Sequence, residues 1–459
     1  MSKRAVNKRV ANKPVARKRA GMTRRKLLLA LAGLILVAIV VWAATRTAPA
    51  PQPQSAQVGI SGDQLASIEE RQRDPQTVID YARLDQRLSA LAERKAIVGL
   101  AVGIVENGEI RFLKGYGETG GGEGDKVGVD TVFRWASVSK GVAGDAVALL
   151  ASQGKLSLDV PVAQYRTALR LPNGNENRAT AANVLSHTLG LFGHAADSKL
   201  EDGEDPRYLR AGLASLNAIC APGDCHAYQN VAYDTASELV ERATGESYQE
   251  MVRTRIFGPL GMNSATMTRD GLVTARSWAR PHTGGKGSKP VEVTEHYYRV
   301  PAAGGVNSSI KDLAIWMQAQ MGLAPNVIPL KVLDEVQTER IRTPGELGRM
   351  RKFRERILNA SYGLGWRVYD YAGHRVIGHR GGVRGYRSLI MFDRERKSGV
   401  VALWNSATNQ PGGVEFEVMD MLYGLDARDW LGLDERTTPA QPEPQETNTT
   451  AAAANEGNS

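Results

Sequence analysis

The sequence predicts an α+β fold: an antiparallel sheet assembled from the N- and C-terminal segments of one domain, flanked by helices, with a mainly helical subdomain between them. Three observations predict it. A hairpin signal stands near residue 107, four strand-like runs crowd residues 365–405, and the centre between them reads mostly as helices and loops. In order, the domain opens with apolar residues at helical spacing (Val78, Ile79, Ala82, Leu88, Leu91). Val98–Val105 and Ile110–Tyr116 follow as strands around Asn107-Gly108, a pair that supplies the positive φ angles of a tight hairpin turn. A helical stretch runs from Ser137 through Val142, Ala146, Leu149 and Leu150 to a stop at Gly154, and Ser308 reads as the cap of a helix over Asp312–Met317. The strands Gly365–Tyr369, Arg375–His379, Ser388–Asp393 and Val400–Asn405 come next. A last helix carries Val414, Val418, Met421, Leu422 and Leu425.

The chain has 459 residues, 42% hydrophobic and 23% charged, the balance of a folded protein with a sizeable core. Its net charge of +9 suggests a nucleic-acid partner until the charges are located. Residues 1–26 hold eleven Lys/Arg and no acid; subtracting them from the chain's 58 leaves 47 basic against 49 acidic residues. A polyanion-binding fold carries its basic surface on the fold itself, so nucleic acid is excluded as a partner. After this basic cytoplasmic arm, Leu27–Ala44 is uncharged throughout, about 27 Å of helix. Lys/Arg on one flank keep that flank in the cytoplasm. The reading is a single-pass anchor in a bacterial inner membrane with the folded domain in the periplasm. A cleaved signal ending near Ala43–Ala50 is the alternative, and Thr23-Arg24-Arg25 resembles a twin-arginine export signal. Residues 45–76 form a linker, Pro/Ala/Gln-rich at its start; 77–433 is the folded domain; and 434–459 holds too little to bury and is expected to be disordered.

Cys220 and Cys225, the only cysteines, bracket Ala-Pro-Gly-Asp. In an oxidising compartment a pair this close is read as a disulfide; two free small hydrophobes are the other reading. Seven histidines show no metal-ligand spacing, so no metal or other cofactor is expected. Gly115-Tyr-Gly117-Glu-Thr-Gly120 fits a dinucleotide fingerprint, but no helix follows to hold a pyrophosphate. Ser137-Val138-Ser139-Lys140 is the strongest chemical signal. Two other Ser-x-x-Lys runs, Ser152–Lys155 and Ser308–Lys311, sit at a helix end and a helix cap and read as structural. Only Ser137 opens a long helix, where a spacing of three puts Lys140 one turn away on the same face, and where free N–H donors support a developing oxyanion.

On these residues the chain resembles the serine beta-lactamase-like hydrolases, the group of class C beta-lactamases, D-alanyl-D-alanine carboxypeptidases and carboxylesterases. The resemblance covers about 95–425 and rests on FRWASVSKG (133–141), LSHTLGL (185–191), YQNVAYD (228–234), PLGM (259–262), AAGGVNSSIKDLAIWM (302–317), YGLGW (362–366) and GHRGGVRGY (378–386). It implies the beta-lactamase/DD-peptidase fold, Ser137 as the acylated nucleophile and Lys140 as its activating partner. It also implies Tyr228 and Asn230 as the Tyr-x-Asn motif, His379-Arg380-Gly381 as the third motif, and the N–H groups of Ser137 and Gly382 as the oxyanion hole. A serine hydroxyl is a poor nucleophile until a neighbour takes its proton, and a lysine beside a phenol can share that role. The disulfide would brace the loop just before Tyr228.

Beta-lactamases of the group usually have Lys-Thr-Gly where this chain has His379-Arg380-Gly381, and the lysine there helps hold the substrate carboxylate. Efficient lactam hydrolysis is therefore not expected. Arg384 is a candidate to replace that lysine as a carboxylate clamp, with Gly381 beside it in the substrate-binding strand; a solvated surface arginine is the alternative. The expected function is a periplasmic, membrane-anchored serine hydrolase acting through an acyl-serine on D-amino-acid peptides or small esters. Beta-lactamase is one alternative; a catalytically idle membrane-tethered scaffold is the other.

Overall fold

The computed structural model describes residues 68–434, apart from 73 and 121–123. The basic arm, the apolar run 27–44, most of the linker and nearly all of the C-terminal tail lie outside the described residues. Among the described residues no helix is long and apolar enough to cross a membrane.

Ten strands are described: β1 Gly99–Glu106, β2 Glu109–Gly117, β3 Val132–Arg134, β4 Asn307–Ser309, β5 Ile341–Arg342, β6 Ile357–Tyr362, β7 Arg367–Tyr371, β8 His374–Val383, β9 Tyr386–Asp393 and β10 Ser398–Trp404. Eight form one antiparallel sheet in the order β2-β1-β10-β9-β8-β7-β6-β5, and β3 pairs with β4 separately. The two ends of the domain meet where β1 pairs with β10, Leu100 opposite Trp404. The β1–β2 hairpin turns at Asn107 and Gly108, with φ of 53° and 84°, the two positive angles that Asn-Gly supplies cheaply.

Both faces of the sheet are covered, which explains why its central strands are apolar runs rather than alternating ones. Leu100, Val102 and Ile104 of β1, Leu389 and Met391 of β9, and Val400, Ala402 and Trp404 of β10 pack under the helices Tyr81–Glu93 and Val414–Tyr423. The intervening Ala101, Val105, Ile390, Phe392, Val401 and Leu403 face the opposite core, which holds the helices Ser139–Ser152 and Ile310–Gln320. Each fully buried leucine here contributes about 1.5–3 kcal/mol.

Some elements differ from the sequence reading. Ser309, not Ser308, caps the helix Ile310–Gln320 by accepting from Asp312 N–H at 3.2 Å. Ser308 instead accepts from the Trp135 indole at 2.8 Å. The strand expected from Gly365 starts at Arg367, because Gly363–Trp366 closes a turn with Gly365 at φ 85°. Strand β6 has no period that the sequence displays: its burial runs from buried Ile357 to exposed Leu358 to four less exposed residues.

Candidate active site

The site is built where three chain segments converge on the start of the helix Ser139–Ser152. Strand β3 ends at Arg134, and Ala136 then stands at φ 48°, a region that side-chain-bearing residues seldom adopt. That sharp turn puts Ser137 in a 3-10 turn ahead of the helix, only partly covered, with Val138 and Lys140 buried behind it. Ser388 Oγ of β9 donates to the Trp135 carbonyl at 2.5 Å, and Trp135 N–H donates to Val306 at 2.8 Å, so the turn is pinned on both sides. Strand β8 runs alongside. A Cβ on Gly381 would collide with the Trp135 carbonyl and Ser388 Oγ and would stand 3.1 Å from the Ser137 nitrogen, so only glycine lets β8 approach Ser137 this closely.

Lys140 is fully buried, and its ammonium has three acceptors: Ser137 Oγ at 3.5 Å, Asn230 Oδ1 at 2.7 Å and the Ala303 carbonyl at 2.9 Å. Burial pushes its pKa down to about 7; the nearby Asp197 opposes that shift, Arg367 adds to it and Asp234 opposes it. Burial holds the Tyr228 phenol well above its ordinary value, and the Ser137 hydroxyl beside it opposes that shift. Lys140 Nζ lies 4.7 Å from the centre of the Tyr228 ring. Asn230 completes the set: its Oδ1 accepts from Lys140, and its Nδ2 donates to Asp197 Oδ2 at 2.7 Å. The same Asp197 oxygen pairs with His194 Nδ1 at 2.8 Å.

Cys220 and Cys225 are joined in a disulfide, three residues before Tyr228. Its loop is laid on the turn after His187: Gly223 N–H donates to Thr188 and Ile219 N–H to Gly190, both at 2.8 Å. Ala227 N–H then donates to the His187 carbonyl at 2.9 Å, which delivers Tyr228 to the cleft.

His379 stands on β8 but is 2% exposed, with Nε2 3.0 Å from the Tyr362 hydroxyl and Nδ1 2.7 Å from the Arg380 carbonyl. Burial and the Arg367 and Lys140 charges hold its pKa well below the ordinary histidine value. Arg380 points to the other face of the sheet and pairs with Glu415 at 2.5 Å. Arg384, beyond Gly381 and exposed Gly382, is exposed and has no hydrogen bond or ion pair among the described residues; it lines a cavity of about 470 Å³ with Gly382, Tyr297 and Glu201. The structure thus gathers Ser137, Lys140, Tyr228, Asn230 and Gly381 closely. It turns His379 inward and leaves Arg384 at the rim.

Three residues escaped the sequence reading. Asp197 lies in a stretch of short turns with no periodicity. Ala303 contributes a backbone carbonyl, which no side-chain pattern reveals. Arg367 follows the Gly-Leu-Gly-Trp turn, pairs with Glu346 at 2.8 Å, and lines a second cavity, about 490 Å³, shared with Tyr228, His194 and Arg349. No group of His, Cys, Asp and Glu among the described residues is arranged to hold a metal ion.

The family model described as Beta-lactamase matches residues 84–420, most of the chain and all of this site. The chain belongs to the beta-lactamase family. Penicillin-binding protein 4 of Amycolatopsis lactamdurans is 28% identical over 334 residues, spanning 70% of this chain and 84% of that protein. The D-alanyl-D-alanine-carboxypeptidase/endopeptidase AmpH of Escherichia coli is 30% identical over 227 residues, spanning 48% of this chain but only 56% of the relative. The octameric penicillin-binding protein homologue from Pyrococcus abyssi shares the fold, with a TM-score of 0.67 at 24% identity over 76% of this chain and 78% of that one. The chain is a serine hydrolase of the beta-lactamase, DD-peptidase and esterase type.

Proposed function

We propose that the chain is a membrane-anchored periplasmic acyl hydrolase that works through an acyl-Ser137 intermediate on D-amino-acid peptides or small esters. The observation that carries the mechanism is the fully buried Lys140, 3.5 Å from Ser137 Oγ and titrating at about 7. A buried Tyr228 stays protonated at neutral pH, whereas a substantial fraction of Lys140 is the free amine, so Lys140 is the proton acceptor. Ser137 Oγ attacks the substrate carbonyl, its proton passes to Lys140 directly or across the Tyr228 hydroxyl, and the N–H groups of Ser137 and Gly382 receive the oxyanion. Tyr228 then hands its proton to the leaving group and takes back the one held by Lys140, which restores the free amine. Water repeats the sequence to release the acid.

In this reading the leaving group lies on the Tyr228 side, in the cavity that Arg367 and Arg349 also line. A terminal carboxylate on the leaving group therefore meets Arg367, whereas Arg384 stands beside Gly382, on the acyl side. Because His379 offers no charge to the cleft, an ordinary lactam is a poor substrate. The test is kcat/KM on a p-nitrophenyl ester, a D-Ala-D-Ala peptide and a cephalosporin. The ester turns over readily, and Arg367→Gln raises KM for the peptide far more than for the ester. Arg384→Ala shows the same selectivity if the clamp lies on the acyl side instead. A cephalosporin value far above the other two restores beta-lactamase as the function.

A further inference from the structure

We infer that His187 and Tyr362 are positioning residues of this site, acting through a one-way hydrogen-bond chain that ties the Tyr228-Gln229-Asn230 loop to strand β8 and holds His379 as a structural link out of reach of substrate. The inference rests on the proposed role of Ser137 and its partners.

The chain has four bonds. Gln229 N–H donates to His187 Nδ1 at 3.1 Å, His187 Nε2 meets the Tyr362 hydroxyl at 3.2 Å, that hydroxyl meets His379 Nε2 at 3.0 Å, and His379 Nδ1 meets the Arg380 carbonyl at 2.7 Å. Both ends have fixed polarity. A backbone N–H only donates, so His187 Nδ1 carries no proton; a neutral imidazole then has its proton on Nε2 and donates to the Tyr362 oxygen. A backbone carbonyl only accepts, so His379 Nδ1 carries the proton. Its bare Nε2 receives the one proton that Tyr362 has to give. One arrangement satisfies every group. With His379 charged, two N–H groups would converge on the Tyr362 oxygen and its own proton would have no acceptor, a costly state for side chains that are 0–2% exposed.

The ends of the chain are what give it a function. Gln229 stands between Tyr228 and Asn230, which handle the proton, and Arg380 directly precedes Gly381 and Gly382, where the oxyanion forms. The chain therefore sets the spacing between the two halves of the machinery, a quantity to which rate is steeply sensitive. It also accounts for two segments that the reaction itself leaves unused, Ser186-His187-Thr188 and Tyr362–Trp366. The groups facing the two imidazoles all favour neutrality or are neutral. Around His187 they are the Tyr228 ring at 4.3 Å, Tyr233 at 4.9 Å and His226 at 5.7 Å. Around His379 they are Tyr228 at 6.3 Å and Tyr362, with the Lys140 and Arg367 charges bearing on both.

The test is long-range ¹H–¹⁵N correlation on the full chain labelled at histidine, each of the seven imidazoles assigned by single His→Gln variants. The expected result is His187 as the Nε2–H tautomer and His379 as the Nδ1–H tautomer, both uncharged at neutral pH. Tyr362→Phe removes only the linking oxygen; it should raise the pH at which His379 titrates and lower kcat on a p-nitrophenyl ester roughly 10- to 100-fold with little change in KM. His187→Gln, which keeps a donor for Tyr362, should retain more activity than His187→Leu. A His379 signal that is Nε2–H or charged in the wild-type protein overturns the inference, whether or not the variants fold. So does Tyr362→Phe with kcat and the His379 signal unchanged. Fluorophosphonate labelling of the wild type, run alongside, reports on Ser137 separately: its failure removes the proposed reaction but leaves the tautomers to decide the chain.

Discussion

Lys140 shows at the scale of one residue how burial prepares an amine for the base role proposed for it. In water its amine is charged and inert as a base; burial pushes its pKa down to about 7, while its three acceptors hold the ammonium in place. The free amine is the reactive form, so kcat/KM on an ester should rise with pH through about 7 and then level. Asp197 favours the charged form, through space and through the Asn230 amide it orients. Removing that carboxylate lowers the Lys140 pKa further, so Asp197→Asn should move the rising limb to lower pH. A shift upward, or none, in the pH–rate profile contradicts this account of the site. The sequence showed Ser137, Lys140, Tyr228 and Asn230 because their spacing is short or their motif contiguous. It hid Asp197 and the Ala303 carbonyl because they join the site only through tertiary folding. It also showed His379 without showing its direction: whether that imidazole faces substrate or core depends on Tyr362, seventeen residues earlier and two strands away.

Among elements, the helix Ser139–Ser152 is held close to the turn that precedes β7. Gly144 lies against the Leu364 carbonyl, where any Cβ would collide with backbone. Gly144→Val should therefore destabilise the domain by roughly 1–3 kcal/mol, read as a lowered thermal midpoint. Because the same helix bears Lys140, ester hydrolysis in the folded variant should fall too. An unchanged midpoint would show that the helix does not pack as described. Legibility followed the strength of local signals. The Asn107-Gly108 turn and the apolar runs of β9 and β10 were plain, because turn chemistry and burial on both faces are written in consecutive residues. Strand β6 was not, since its pairing with β7 rather than its own pattern defines it. The cap of the helix Ile310–Gln320 was displaced by one residue for a similar reason: Ser308 and Ser309 are equivalent in sequence, and the Trp135 indole takes the first.

At the scale of the whole molecule, charge and hydropathy divide the chain. The arm 1–26 holds the excess of positive charge, and 27–44 is the longest uncharged run it adjoins. The proposal that this run anchors the protein with its hydrolase domain in the periplasm predicts that protease added to spheroplasts digests the domain. A mature form starting near Ala50 would show a cleaved signal instead. In the proposed reaction, whatever the topology, one serine activated by a buried lysine carries the acyl group. That claim is tested most directly by intact mass after exposure of the purified full chain to a fluorophosphonate. The account predicts one adduct, mapped to Ser137, formed by the wild-type protein and absent from a folded Ser137→Ala variant. An adduct that persists in that variant, or a wild-type chain that takes none, contradicts it.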